Sequence, residues 1–246
     1  MLVNDTGCDL DGFGRDSAPA HEVVEEIRSL GGSAVANLDS VATRSGAYAI
    51  VNAAVKAYGR VDVLVNNAGI QRDKSFLEMD DETFDGVLSV DLKGSLFCSQ
   101  AFAKQVISQG SGGRIVHSTI VIGTAGQTNY AAAKAGTYGL MRMMAIELAP
   151  HGITVNTIAP LAHTRMTESL PNIPQDGTLS PAHAAPGALF LGSSLCGDRT
   201  SIVLAVVGSR VCAFKMAESE GRISPSSSGI WTAKEIDESW GEIYAF

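Results

Sequence analysis

The sequence is 246 residues long, 45% hydrophobic and 18% charged, which supplies the apolar material for the core of one α/β domain. Its net charge of −8 comes from dispersed acids with no basic stripe, and its longest apolar runs are strand-sized, so nucleic-acid binding and a membrane helix are excluded as first readings. Cys8, Cys98, Cys196 and Cys212 form no CxxC pair and have no histidine at ligand spacing; reduced thiols in a soluble, cytoplasmic protein are expected, with no disulfide scaffold and no metal site.

Strand-like and helix-like periods alternate for about 200 residues, the pattern of βαβ units in a mostly parallel sheet covered on both faces. Leu2-Val3-Asn4-Asp5 reads as a buried strand ending on an acid, followed by a loop rich in Gly and Asp through Ser17. A helix then turns Val23, Val24, Ile27 and Leu30 inward and stops at Gly31-Gly32. Ser33 to Asn37 is a short strand, and Val41 to Tyr58 a helix interrupted by Gly46. Val61 to Val65 is the clearest buried strand and runs into Asn66-Asn67-Ala68-Gly69.

A long helical stretch, Asp81 to Gln109, leads to the strand Arg114 to Ser118. The next helix starts near Thr128, read as its N-cap, and ends around Pro150-His151-Gly152. Thr154 to Ile158 is a strand broken by Ala159-Pro160; the loop from Leu161 to Leu179, with Arg165, Met166 and Pro171, reads as a lid over a substrate. Ser180-Pro181 opens a short helix through Leu195. Ile202 to Val207 and Val211 to Phe214 form a hairpin around Gly208-Ser209-Arg210, and a Ser- and Gly-rich connection leads to a closing helix from Thr232 to Ile243, on which Trp231 and Trp240 pack. The organisation expected is a domain over 1–210 with residues 211–246 appended to it.

Tyr130 and Lys134 lie four apart in NYAAAK, so on a helix both side chains project from one face. A phenol with an ordinary pKa near 10 is a poor proton-transfer group at neutral pH, and an adjacent ammonium brings it closer to working range. The spacing alone also fits two residues on a solvated helix. Two further segments, Asn66 to Gly69 and Ser118, end parallel strands, and the carboxyl ends of such strands converge on the ligand crevice of an open sheet.

Together, Asn66-Asn67-Ala68-Gly69, the Ser118 region, Tyr130-x-x-x-Lys134, and Val155-Asn156-x-Ile158-x-Pro160 followed by Thr164 resemble the short-chain dehydrogenase/reductase family. Within it, VNDTGCDLDGFGRD, AVANLDSV, NNAGIQRDKSF, GQTNYAAAKAG and NTIAPLAHTRMT are most similar to the (3R)-hydroxyacyl-CoA dehydrogenase branch found in peroxisomal multifunctional enzymes and bacterial relatives. The resemblance implies a doubly wound, Rossmann-like α/β fold and an oxidoreductase moving a hydride between NAD(H) and a secondary alcohol or ketone, with a 3-hydroxyacyl/3-oxoacyl thioester as the expected substrate. Tyr130 would be the general acid/base, Lys134 would lower its pKa and hold the nicotinamide ribose, and Ser118 would hydrogen-bond the substrate oxygen. Asp5 would take the adenosine ribose and favour NAD over NADP, because a carboxylate repels a 2′-phosphate. Asp39 and Ser40 would border adenine, Asn66, Asn67, Ala68 and Gly69 the ribose and cofactor backbone, and Pro160 with Thr164 the carboxamide. A homodimer or homotetramer is implied, its helices Asp81 to Gln109 and Thr128 to Ala149 pairing through residues such as Met141, Met144 and Leu148; a buried intramolecular face predicts the same pattern.

Three departures accompany the resemblance. Relatives begin with a strand, a TGxxxGxG turn and a helix before the segment matching Leu2 to Asp5, and no other stretch replaces them: Gly12-Phe13-Gly14 and Gly110-Ser111-Gly112-Gly113 read as loops. That strand is central, and losing its buried side chains costs on the order of 10 kcal/mol. A poorly folded chain, a re-paired sheet and a piece of a longer protein are the three outcomes, the last favoured; a non-catalytic remnant unable to hold a dinucleotide is the alternative function. Second, Ser118 stands closer to Tyr130 than in relatives, which leaves Thr119 as the alternative hydroxyl. Third, Asp91 in SVDLKGS occupies the place of the asparagine in the family's catalytic tetrad, where it is expected to solvate or cap a bend.

Overall fold

A computed structural model describes residues 1–246 except 120–122, 169–172 and 175. It divides into two compact units, Met1–Ala213 and Phe214–Phe246. In the first, β1 (Leu2–Asn4), α1 (Ala18–Ser29), β2 (Val35–Asn37), α2 (Arg44–Tyr58) and β3 (Val63–Asn66) lead to α3 (Asp81–Val87), a π-helical segment Leu88–Gly94 and α4 (Ser95–Gln109). Then come β4 (Gly113–Ser118), α5 (Thr128–Leu148), β5 (Ile153–Leu161), α6 (Ala185–Gly192), β6 (Val203–Val207) and β7 (Arg210–Phe214).

The strands form two sheets. β1 and β2 pair in parallel, Leu2 opposite Val35, and the larger sheet runs β3-β4-β5-β6-β7, parallel from β3 through β6. Side chains on β4 alternate between two helical layers. Ile115 enters a cluster with Phe102 and Val106 of α4 and Met141 of α5, while Val116 enters one with Leu191 of α6 and Val206 of β6. This is the doubly wound α/β architecture that the alternating periods predict.

The interruption falls between β1 and β3, where the resemblance places a further central strand. One helical layer nevertheless spans both sheets: Leu2 of β1 and Leu64 of β3 pack in one cluster with Ala47 and Ile50 of α2 and Cys98 of α4. Cys98 is buried there, which pushes its thiol up to about 11. The opposite face of β3 is open, with Val63 45% and Val65 49% exposed, so the strand read as the clearest buried one is only half covered. Leu189 of α6 and Leu195 are also exposed. In α1 the burial is carried by Ala20 and Val24, while Val23 and Leu30 face outward, a correction of the inward stripe.

Other boundaries shift for local reasons. Gly46 continues α2 instead of interrupting it, because a Cβ there would lie 2.0 Å from the Ser40 carbonyl oxygen, while the Thr43 hydroxyl caps the helix by accepting from the Gly46 amide at 3.1 Å. β5 runs through Pro160: β4 pairs with it only as far as Ile158, so the missing N–H falls where one edge is already free. Thr128 is the first residue of α5 and Gln127 its N-cap, without a side-chain cap. Met141, Met144 and Leu148 belong to the intramolecular core, and Met143 and Ile146 are the exposed apolar residues of α5.

In the second unit Thr232 and Glu235 form a capping box on α7 (Ala233–Glu238), and Ser239 separates it from α8 (Trp240–Ile243), where Trp240 stacks on Tyr244 at 5.5 Å. No helix among the described residues is long and apolar enough to cross a membrane, and no group of three metal-ligating side chains occurs among them.

Candidate active site

Tyr130 and Lys134 share one face of α5, with Lys134 Nζ 5.1 Å from the centre of the Tyr130 ring. The ammonium is buried. It donates to the Ser118 carbonyl oxygen at the end of β4 (3.3 Å) and lies 3.1 Å from Asp91 Oδ2 on the π-helical segment, with side-chain exposures of 5% and 0% for Lys134 and Asp91. Asp91 Oδ1 in turn accepts from the Ile70 amide at 3.0 Å. The turn after β3, the end of β4 and helix α5 are thereby joined at one charged centre. Gly69 makes room for it, since a Cβ at that position would stand 2.8 Å from Asp91 Oδ2. Asp91 is therefore buried where it was expected to be solvated; it holds the Ile70 amide of the turn and is the counterion of Lys134.

The electrostatics follow from burial. Burial works against the Lys134 ammonium, but Asp91 and Tyr130 outweigh it and hold its pKa above the ordinary lysine value. Burial lifts the Asp91 carboxyl, opposed by Lys134 and the Ile70 amide. Burial also lifts the Tyr130 phenol; Lys134 pulls it down, and Asp91 and Asp73 push it up. The phenol thus stands above its ordinary value, against the lowering that the Tyr-Lys spacing predicts, because burial outweighs the neighbouring cation and Asp91 and Asp73 add to it.

Thr119 donates its hydroxyl proton to the Lys134 carbonyl oxygen at 2.8 Å and is buried, so it serves helix packing. Ser118 touches the pair through its carbonyl, and its hydroxyl enters no hydrogen bond among the described residues. Asn66 donates to Ser99 Oγ at 3.0 Å and stands 3.3 Å from His117 Nδ1, while Asn67 and Ala68 are exposed. Asp5 is exposed just beyond β1, its Oδ1 accepting from the Gly7 amide at 2.7 Å. Asp39 lies at the same sheet edge, where Asn4 donates to its carbonyl oxygen at 2.8 Å and Asn37 to its Oδ2 at 2.8 Å, with Ser40 following. The loop after β1 lies over the turn after β3: Gln71 donates to the Leu10 carbonyl oxygen at 3.0 Å, and Cys8 packs in the cluster that holds Ile70 and Tyr130. Past Pro160, the Thr164 hydroxyl accepts from the Met166 amide at 3.2 Å, Arg165 donates to the Cys8 carbonyl oxygen at 3.4 Å, and His163 donates its amide to Leu179 O at 2.7 Å. Pro171 lies outside the described residues.

The donor set fits the two ribose ends of a dinucleotide. Lys134 Nζ donates to the Ser118 carbonyl oxygen and pairs with Asp91 beside the Tyr130 ring, the place for a nicotinamide ribose hydroxyl, and the exposed Asp5 carboxylate is open to the adenosine ribose. Gly12 and Gly14 have φ of +85° and +79° but belong to the loop after β1, and Gly110 and Gly112 lie ahead of β4; neither pair makes a strand-to-helix cradle.

Asn129 was not singled out by sequence reasoning. It is fully buried, donating to the carbonyl oxygens of Arg72 (2.9 Å) and Thr83 (3.2 Å) and accepting from the Tyr130 amide (2.8 Å), and so fixes the start of α5. Its signal was an amide side chain beside Tyr130 in a turn otherwise made of small residues. His117 is likewise buried; burial, with Lys134 nearby, lowers its pKa to about 4. The unfolded chain titrates this group near pH 6.5, so its stabilising effect is complete above that value and is lost as pH falls toward about 4, on the order of 3 kcal/mol. Urea midpoints at pH 7 and pH 4.5 should show that loss, and His117→Gln should remove its share of the slope.

The short chain dehydrogenase family profile matches residues 3–174. The chain is 36% identical over 250 residues to peroxisomal multifunctional enzyme type 2 of mouse (Mus musculus), covering 100% of this chain and 33% of that protein. It is 39% identical over 248 residues to the peroxisomal hydratase-dehydrogenase-epimerase of Saccharomyces cerevisiae, covering 99% of this chain and 27% of that one. The chain thus spans about a third or less of these relatives' lengths. Among solved structures, a short chain dehydrogenase from Mycobacterium avium superposes with a TM-score of 0.82 at 34% identity, covering 98% of this chain and 85% of that one. These likenesses lend no support to a non-catalytic remnant.

Proposed function

Because this chain belongs to the short-chain dehydrogenase family and is an oxidoreductase of that class, we propose that it moves a hydride between NAD(H) and a 3-hydroxyacyl/3-oxoacyl thioester. The observation that carries this reading is the buried Lys134 ammonium, set between Asp91 and the Ser118 carbonyl and facing the Tyr130 ring. The bound nicotinamide supplies or accepts the hydride. In reduction, the Tyr130 hydroxyl gives its proton to the carbonyl oxygen as negative charge develops there, and in oxidation the phenolate takes it back. Lys134 orients that phenol and holds the nicotinamide ribose through its ammonium. Ser118 hydrogen-bonds the substrate oxygen through its hydroxyl. Asn67, Ala68 and Gly69 border the ribose, Asp39 and Ser40 the adenine, and Pro160 and Thr164 the carboxamide. The thioester class is supported by the resemblance to the (3R)-hydroxyacyl-CoA dehydrogenase branch, and the mouse and yeast relatives align over 100% and 99% of this chain.

Asp5 sets the choice of nucleotide. A carboxylate beside the ribose repels a 2′-phosphate, so NADH is expected to bind in the micromolar range and NADPH at least about tenfold more weakly. Fluorescence titration of the full chain with both nucleotides tests this, and Asp5→Asn should narrow the gap. Equal or tighter NADPH binding would contradict it. We further propose a homodimer or homotetramer, formed through the exposed apolar residues of α4 and α5, Ile107, Met143 and Ile146.

A further inference from the structure

We propose that Asp91 is a positioning residue, the buried counter-charge that fastens the Lys134 ammonium to the turn after β3 and makes the cluster around Tyr130 electrically neutral. The inference rests on the hydride-transfer reading for its consequence, but not for its geometry. One carboxylate oxygen accepts from the Ile70 amide at 3.0 Å, the other stands 3.1 Å from Lys134 Nζ, and neither side chain reaches solvent to any extent. The π-helical segment Leu88–Gly94 presents Asp91 to this centre, and Leu92 beside it packs so closely on α5 that a Cβ at Gly136 would lie 3.0 Å from it. Every contact that places the carboxylate is therefore built into the fold.

The titratable and charged groups around the pair are few. Asp91 faces it from the π-helical segment, His117 from β4, and Asp73 from the loop after β3, where Gln71 and Gln127 donate to Asp73 Oδ2 at 2.9 and 3.2 Å. His117 is neutral at physiological pH. Among the described residues the buried centre thus holds one anion, one cation and a neutral phenol, with the Asp73 carboxylate exposed at its edge. Its first proton loss, from Tyr130 or from Lys134, takes it from neutral to negative. Without the Asp91 charge the same loss takes it from positive to neutral, which a buried site favours whichever group gives the proton. Asp91 therefore adds to burial in holding the phenol in its protonated form, the form that delivers a proton to a carbonyl oxygen.

Full-length protein labelled with ¹³C at Tyr Cζ, Lys Cε and Asp Cγ, followed by NMR across pH, tests this; Tyr130→Phe and Lys134→Met assign the signals. In Asp91→Asn, and in Asp91→Ser as a second neutral replacement, the first of the Tyr130 and Lys134 signals to titrate should do so at least about one pH unit lower than in the wild type, a tenfold change in the ionisation constant. Asp91→Glu, which restores the charge, should return the midpoint toward the wild-type value. An unchanged or raised midpoint in the neutral variants overturns the proposal, and so does a wild-type Asp91 carboxyl that is protonated at pH 7, a result that needs no variant to fold. Thioester turnover is read separately: a shifted titration without turnover leaves Asp91 as assigned and removes the hydride-transfer reading, while Tyr130-dependent turnover with no shift removes Asp91 alone.

Discussion

Tyr130→Phe is expected to lower kcat for thioester reduction by about a thousandfold while leaving the fold and NADH affinity close to wild type. The substitution removes only the hydroxyl. The ring, which packs with Ile70, Val87 and Ala133, is kept, and the hydroxyl makes no hydrogen bond among the described residues that its loss would strand. Because the phenol is lifted by burial and by Asp91 and Asp73, wild-type oxidation of the alcohol should gain rate as pH rises through the alkaline range, and reduction should hold its rate at neutral pH. Steady-state rates in both directions across pH check this. A Tyr130→Phe enzyme retaining more than a tenth of the wild-type kcat would mean that another group moves the proton.

Lys134→Met is expected to be damaging twice over. It takes away the cation that orients the phenol, and it strands the Asp91 carboxylate in a site with no solvent. Breaking a buried pair from one side costs about 3–5 kcal/mol, which for a chain of this size lowers Tm by roughly 10 °C. The loss should depend on pH in a set direction. In the variant the Asp91 carboxyl is held above its unfolded value, so destabilisation is smallest at acid pH, where it is protonated in both states, and grows as pH rises through the folded value. The double variant Asp91→Asn with Lys134→Met should recover part of the stability, since the two positions are in contact and their effects do not add. Calorimetry at pH 5 and pH 8 on the single and double variants measures all three quantities. A Lys134→Met protein as stable as wild type at pH 8 would show that the ion pair contributes nothing to the fold.

The alternation of elements, the parallel sheet and the convergence of the Asn66 turn, Ser118 and the Tyr130–Lys134 face could all be read from residue periods and spacing. Val116 and Ile115 face opposite helical layers, as an unbroken apolar strand in a two-faced sheet requires. What escaped was partnership at a distance. Val63 and Val65 have the apolar content of a buried strand, and only the interrupted sheet and the open face beside α6 explain their exposure. Pro160 looked like a strand end because local sequence cannot tell that its neighbour β4 has already stopped pairing. At the site, Asn129 escaped altogether, and Asp91, placed by its motif, kept its partner hidden. A lone acid and a lone amide in long helices carry no periodic signal, and their roles come from a lysine and two carbonyl oxygens supplied by segments far along the chain.

The chemistry itself is tested most directly by following the label from NADH deuterated at nicotinamide C4 into a 3-oxoacyl-CoA in the presence of this chain, with mass spectrometry of the thioester product. Transfer of one deuterium to C3, dependent on Tyr130, is the predicted result. A product without deuterium from both the 4R- and the 4S-deuterated NADH, after the thioester has been consumed, would contradict hydride transfer at this site.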